Sequence, residues 1–211
     1  MIEELNSNSS NKYVDLDLPS GTKWAKMNLG ASKPSDPGLY FQWGDIQGYT
    51  KDQVGFGDGQ KRFSWFDYKW YLGRNIIGGD IKFTKYTNPG DVLEPEDDAA
   101  YVYMGGSWHI PTDRQIQELI DNTISTRITL VGVNGMKFTS KKDSSKFIFF
   151  PAAGGALDGS VCCRGSYGNV WSSVLNSFNI KFSHGLAFSQ KRTILGYGSR
   201  YSGHPVRGVI G

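Results

Sequence analysis

The sequence predicts an α+β fold built from short antiparallel sheets, on three observations. Thr112, Asp113, Arg114 and Gln115 form a Thr-x-x-Gln capping box ahead of an apolar stripe at Ile116, Leu119 and Ile120, the signature of an amphipathic helix start. Beyond that helix the hydrophobic period changes to two, around the pair Asn134 and Gly135. The same alternation returns at Phe178, Ile180 and Phe182.

A chain of 211 residues is long enough to bury a core and short of two full domains, so one compact unit with long loops is expected. Its 27 Gly and 8 Pro make it loop-rich, but 6 Trp, 11 Tyr and 12 Phe exclude a disordered chain. The net charge of +3, with Lys and Arg spread among Asp and Glu, does not make a phosphate-binding surface, so no nucleic-acid partner is expected. The longest apolar run, Phe147 to Ala153, is far below the roughly 20 residues of a membrane helix, so no membrane insertion is expected. The opening MIEELNSNSSNK has acidic residues where an export signal needs positive charge, and export by that route is not expected.

In chain order, residues 1 to 12 are polar, lack periodicity and read as a flexible arm or attachment peptide, with the folded unit at 13 to 211. Tyr13 to Leu18 approximates a strand, and Pro19, Ser20 and Gly21 turn it back towards Trp24. Ser32 to Gly90 is dense in Gly, Pro, Asp and aromatic residues; such a segment must fold back onto the core or expose a large apolar patch. A second helix is expected after Pro95, with Glu96, Asp97 and Asp98 at the positive end of its dipole and Gly105 and Gly106 at its end. The capped helix should run from Thr112 to about Asn122. Strands then follow at Ile128 to Val133, Met136 to Phe138 and Phe147 to Phe150, the first two joined by a type I′ turn at Asn134 and Gly135. The Phe178 strand is expected to reverse at His184 and Gly185 into Leu186 and Phe188, with a last hairpin closed by Tyr201 to Val209.

The blocks YVDLDLPSGTKWAKMNLGA, LYFQWGD, RFSWFDYKWY, LEPEDDAAYVYMGGSWHIPTDRQIQELIDN, GVNGMKFTSKK, FPAAG, YGNVWSS and YSGHPVRGV resemble, in order, the Fibrobacter succinogenes major paralogous domain family, over Tyr13 to Val209. That family is abundant in Bacteroidetes and their phages. The resemblance implies a C-type-lectin-like fold, shared with formylglycine-generating enzymes and with the variable proteins of diversity-generating retroelements. In the latter, exposed side chains on the C-terminal strands bind ligand. The corresponding set here is Arg164, Tyr167, Asn176, His184, Gln190, Arg192, Tyr197, Arg200 and Tyr201, a mixture of Tyr, Arg and Asn suited to rigid contact area and adaptable hydrogen bonds. Gly208 stands where the family commonly has proline.

Catalytic chemistry is not expected. Formylglycine-generating enzymes use two separated cysteines, whereas Cys162 and Cys163 are adjacent and read as two small, semi-buried residues without a disulfide framework. His109, His184 and His204 lack metal-ligand spacing, and no metal or cofactor is implied. Glu94, Pro95 and Glu96, with Asp97 and Asp98, offer oxygen donors for calcium but read as an acidic helix start. Gly55 to Gly59 lacks the strand and helix of a phosphate cradle. Trp65, Trp70 and Trp108 read as core rather than sugar-stacking residues.

The expected function is therefore a non-enzymatic binding or structural module. It is expected on a phage virion as a head-fibre, decoration or tail-associated protein that recognises a host glycan or surface protein. Attachment to other virion proteins would run through the N-terminal arm of a homo-oligomer. The alternatives are a bacterial cell-surface adhesin and an enzyme of the formylglycine-generating type.

Overall fold

The computed structural model describes residues 12 to 74 and 81 to 211. The expected arm, except for Lys12, and residues 75 to 80 of the aromatic-rich insertion lie outside the described residues.

Strand β1 (Tyr13–Asp15) pairs antiparallel with β2 (Lys23–Ala25), in register Tyr13 with Ala25 and Val14 with Trp24. Gly21, at φ 78°, closes the intervening loop by donating its N–H to the Leu18 carbonyl at 2.9 Å. The chain then enters the long insertion, which contains 3₁₀ turns at Lys51–Gln53 and Trp65–Asp67 and the hairpin β3 (Tyr71–Arg74) with β4 (Ile81–Phe83). The insertion folds back as its aromatic content requires. Trp43, Tyr68, Trp70, Phe83 and Tyr86 are buried together, with Trp43 and Tyr86 edge to face at 5.2 Å and Trp70 and Tyr86 at 4.9 Å.

The helix after Pro95 forms in two pieces, a 3₁₀ turn at Pro95–Asp97 and helix α1 (Ala99–Met104). Asp98 supplies the break because its carboxylate caps α1, accepting the Tyr101 N–H at 3.0 Å; Gly105 at φ 70° ends it. Helix α2 (Asp113–Asn122) starts at the Thr112 capping box and buries Ile116 and Leu119. It passes directly into β5 (Thr123–Leu130), where the Thr123 hydroxyl donates to the Leu119 carbonyl at 2.6 Å.

Strands β5, β6 (Val133–Ser140) and β7 (Phe147–Pro151) form an antiparallel sheet with β6 central. The turn between β5 and β6 corrects the sequence reading: it lies at Val131 (φ 48°) and Gly132 (φ 77°), while Asn134 and Gly135 pair within β6 against Thr129 and Ile128. Gly135 serves close packing instead, because a Cβ there would meet the Phe150 carbonyl oxygen at 2.2 Å and the Phe149 ring at 2.4 Å. A small hairpin follows, β8 (Gly155–Leu157) and β9 (Ser160–Cys162), turning at Asp158 (φ 43°) and Gly159 (φ 74°).

The last sheet is β10 (Gly168–Leu175), β11 (Phe182–Phe188) and β12 (Thr193–Ser199), antiparallel in that order. The expected reversal at His184 and Gly185 is absent, since β11 runs straight through both. The chain reverses instead between β10 and β11, where the Asn176 carboxamide oxygen accepts the N–H groups of Phe178 at 2.9 Å and Asn179 at 3.0 Å. Gly185 again serves close approach: a Cβ there would lie 2.6 Å from both the Val170 carbonyl oxygen and the Asn169 side chain. The expected closing hairpin from Tyr201 to Val209 is also absent. Residues 202 to 208 run buried without regular structure and bond across the molecule, His204 with Phe41 in both directions at 3.0 Å and Pro205 with Trp171 at 3.2 Å. Strand β13 (Val209–Ile210) then joins the free side of β2.

One core lies between α2 and the sheets, containing Trp24, Ile116, Leu119, Phe138, Phe150, Leu186 and Phe188. The second is the aromatic cluster of the insertion, which reaches Trp171, Leu175 and Val206. Trp70 and Trp108 are buried, and Trp65 packs on Tyr201 with ring centroids 4.5 Å apart.

Candidate recognition surface

His184 and Tyr197 lie on strands of the β10–β11–β12 sheet, the other residues named in the sequence lie in the segments that flank or join those strands, and alternation along a strand decides which face a residue takes. On β11 and β12, Leu186, Phe188 and Leu195 belong to the core that includes α2. His184 lies two residues from Leu186 and faces the start of α2, with its Nδ1 2.5 Å from Asp113 Oδ2. Asn176 donates its amide to His184 Nε2 at 2.9 Å, and the Ser172 hydroxyl donates to Asp113 Oδ1 at 2.6 Å. Both imidazole nitrogens are thereby engaged, and Asp113 sits where a helix N-terminus favours a negative charge. This chain does not make a nucleophile, because Ser172 donates to the carboxylate rather than to the imidazole that would have to act as its base. Asn176 and His184 tie the sheet to the helix.

Arg200 is a correction to the expectation of an exposed contact residue. Its side chain is 0% exposed, with Nε donating to the Tyr68 hydroxyl at 2.9 Å. Its Nη1 donates to the carbonyls of Tyr86 at 2.9 Å and Ile180 at 3.2 Å, and its Nη2 to that of Lys85 at 3.0 Å. The guanidinium also lies 4.1 Å from the Phe83 ring centroid. Tyr201 is half-buried against Trp65. Arg200 organises the interior, whereas Tyr201 keeps part of its ring accessible.

The exposed members are Arg164, Gln190, Arg192 and Tyr197, with Tyr167 half-buried. Tyr197, 64% exposed, stands between two hollows. The first, about 180 Å³, is lined by Tyr167, Arg192 and Tyr197 together with Ala187, Ile194 and Gly196. The second, about 330 Å³, lies between Tyr197, Asn176, Phe178, Asn179 and Phe182. Tyr167 and Arg192 thus share the first hollow with Tyr197, and Asn176 shares the second. Arg164 joins neither: it lines a separate hollow with Ser35, Pro37 and Asn134. Gln190 is exposed in the turn between β11 and β12.

Phe178 and Phe182 were not singled out, because alternation assigned both to a buried strand face. In the structure Phe178 is 95% exposed in the turn set by Asn176, and Phe182 packs edge to face on Tyr197. The signal available in the sequence was Asn176-Ser177-Phe178-Asn179, a polar turn cluster that interrupts the apolar pattern.

Cys162 and Cys163 correct a further expectation, since both are exposed free thiols rather than semi-buried. They line a largely apolar cleft of about 330 Å³ with Tyr167, Ser202 and His204. Burial, together with the Cys163 side chain, pushes the Cys162 thiol up, so its thiolate forms at higher pH than that of an ordinary cysteine. The His204 ring packs edge to face on Trp171 at 4.6 Å, and burial lowers its imidazole to about 4.

The acidic segment before α1 is held by cations and backbone. Asp97 accepts from Lys69 at 2.7 Å, Lys85 at 2.6 Å and the Tyr86 hydroxyl at 2.8 Å, and Lys85 also pairs with Glu94. Burial alone would raise the Asp97 carboxyl, but those three donors outweigh it and keep it below its ordinary value. Asp98 is raised by burial although it caps α1 and accepts the Ile110 N–H at 2.8 Å. The Asp97 and Asp98 oxygens are therefore committed to protein donors. Among the described residues, no group of three or more His, Cys, Asp and Glu side chains is placed to hold a metal ion.

Among the described residues no helix is long and apolar enough to cross a membrane. Comparison with protein-family models, with curated proteins and with solved structures finds no match to this chain.

Proposed function

We propose that this chain is a non-enzymatic recognition module of the C-type-lectin-like fold, a member of the Fibrobacter succinogenes major paralogous domain family. It engages its ligand through the edge of the β10–β11–β12 sheet around Tyr197. The observation that carries the reading is the placement of Tyr197 between two hollows, one holding Tyr167 and Arg192 and the other Asn176, Phe178 and Phe182. Exposed aromatic side chains next to an arginine and the exposed Asn179 carboxamide supply rigid area and directional hydrogen bonds, the composition of binding surfaces. The exposure of Phe178 supports it too, because burying that ring in a partner is favourable by about 2 kcal/mol.

In this reading the ligand is a host glycan or surface protein. The module sits on a phage virion as a head-fibre, decoration or tail-associated component, as a homo-oligomer attached through its N-terminal arm. Support for the setting comes from the resemblance of the ordered blocks from Tyr13 to Val209 to a family found in Bacteroidetes phages. The test is binding of labelled protein to host cells and to a glycan array, paired with proteomics of purified particles. Saturable binding that Tyr197→Ala weakens about tenfold or more is expected, as is the chain's presence in particles. Blank arrays and blank cells would overturn the recognition role, and absence from particles would overturn the virion setting.

A further inference from the structure

Successive residues of a strand point to opposite faces, so two adjacent cysteines in regular β structure hold their thiols apart. Cys162 is the last residue of β9 and pairs with Gly155, but Cys163 leaves the strand in the left-handed region at φ 62°. That change of conformation cancels the alternation. Both residues line the same cleft, and both are exposed free thiols.

The backbone around the pair is fixed from several directions. The Cys163 carbonyl accepts the Tyr167 N–H at 3.0 Å, the Ser166 N–H at 3.2 Å and the Ser166 hydroxyl at 2.9 Å. Gly165 donates to the Ala152 carbonyl at 2.7 Å. Gly154 admits the close approach of β9, because a Cβ there would meet the Cys162 carbonyl oxygen at 1.9 Å. A non-glycine residue held at positive φ by this many bonds is the kind of local strain that marks a site. Here its effect is to keep two neighbouring cysteines on the wall of one cleft.

We propose that Cys162 and Cys163 are a reversible dithiol–disulfide couple whose co-reactant is a low-molecular-weight disulfide of the glutathione type. One cysteine thiolate attacks a sulfur of the small disulfide, forming a mixed disulfide and releasing one small thiolate. The neighbouring cysteine, as thiolate, then attacks the protein sulfur of that mixed disulfide and releases the second. The protein loses two electrons and two protons, and the small disulfide gains both to become two thiols. Excess small thiol reverses the sequence. The product ring replaces two S–H groups on the cleft wall by an S–S face opposite Tyr167 and His204, so the cleft changes chemistry with redox state. The elevated Cys162 thiol makes the reaction faster as the pH is raised through the thiol range.

The proposal is independent of the recognition reading and is tested on the full chain with oxidised glutathione. The expected product is a monomer whose intact mass has lost two hydrogens. Its peptide containing both cysteines then resists alkylation until a small thiol is added, after which it takes two alkyl groups. Cys163→Ser should instead stop at a glutathione adduct on Cys162. Because the fold presets the pair, the ratio of ring to adduct should fall about tenfold or more when the chain is oxidised in denaturant. A stable glutathione adduct on the native wild type, a covalent dimer, thiols that stay reduced, or an equal ratio in denaturant would each overturn the proposal.

Discussion

Phe182 and Tyr197 meet edge to face across β11 and β12, their ring centroids 5.4 Å apart and their planes at 72°. Tyr197 is registered opposite His184, and Phe182 opposite Ser199, so the two rings are diagonal neighbours at the end of the sheet away from the β11–β12 turn. The contact holds an exposed tyrosine in one orientation and so lowers the entropy lost when a ligand covers it. Tyr197→Ala should cost only about 1 kcal/mol of stability, the size of an aromatic pair at a partly exposed site. It should weaken cell or glycan binding about tenfold or more, as loss of a central aromatic anchor does. Urea denaturation and a binding isotherm measure the two effects separately. Unchanged binding would remove Tyr197 from the surface.

Arg200 should behave in the opposite way. Its removal strands the Tyr68 hydroxyl and the carbonyls of Tyr86, Ile180 and Lys85 in the interior. Arg200→Leu should therefore cost about 3 kcal/mol or more. At roughly 3 °C per kcal/mol for a chain of this size, the melting temperature should fall by about 10 °C. Arg200→Lys should be nearly as harmful, since a single ammonium cannot reach acceptors spread around a planar guanidinium. Arg192→Ala, at an exposed position, should stay within about 0.5 kcal/mol of the wild type. Comparable melting temperatures for the Arg192 and Arg200 variants would refute the division between surface and interior.

Local chemistry explains which features were legible before the fold was known. The α2 start was legible because Thr112 and Gln115 satisfy each other within four residues, and the aromatic insertion because so much apolar area has to be covered. The reversals were not, because glycine has two uses that a sequence does not separate. Gly135 and Gly185 admit a neighbouring strand, whereas Gly132 and Gly159 turn the chain; the Asp158-Gly159 pair carried the turn signal that Asn134-Gly135 only resembled. Arg200 escaped for a different reason. Tyr68, Tyr86 and Lys85 lie more than a hundred residues away in the insertion, and no pattern near Arg200 announces them. On the candidate surface, Tyr197 was legible as an aromatic on a strand, while Phe178 was hidden by an alternation that the Asn176 turn breaks.

Val131 occupies the first position of a two-residue hairpin turn at φ 48° and is 77% exposed. A β-branched residue fits the left-handed region poorly, whereas asparagine is favoured there, above all before a glycine. Val131→Asn, which keeps Gly132, should stabilise the protein by about 1 kcal/mol. The urea midpoint should rise without a change in slope. A lower midpoint would mean that the Val131 side chain makes a contribution that its exposure does not reveal.

His204 gives the protein a defined sensitivity to mild acid. Burial lowers its imidazole from the ordinary 6.5 to about 4, so the folded chain refuses a proton that the unfolded chain accepts. The unfolded state binds more protons between those two values, and stability must fall as the pH drops through that window. At about 1.4 kcal/mol per pH unit, the full loss from this residue is about 3 kcal/mol. The two buried aspartates also titrate in this range, beside Asp36, Asp52, Glu94 and Asp143, whose lowered carboxyls add to the loss at the acid end. Asp97, held below its ordinary 3.8, adds to the loss only at the acid end, and Asp98, raised by burial, acts with the opposite sign. Urea midpoints measured between pH 7 and pH 4 should slope downwards for the wild type and be much flatter for His204→Gln and His204→Phe. The phenylalanine variant keeps a ring against Trp171 and so separates loss of titration from loss of packing. An equal slope in both variants would place the acid sensitivity elsewhere.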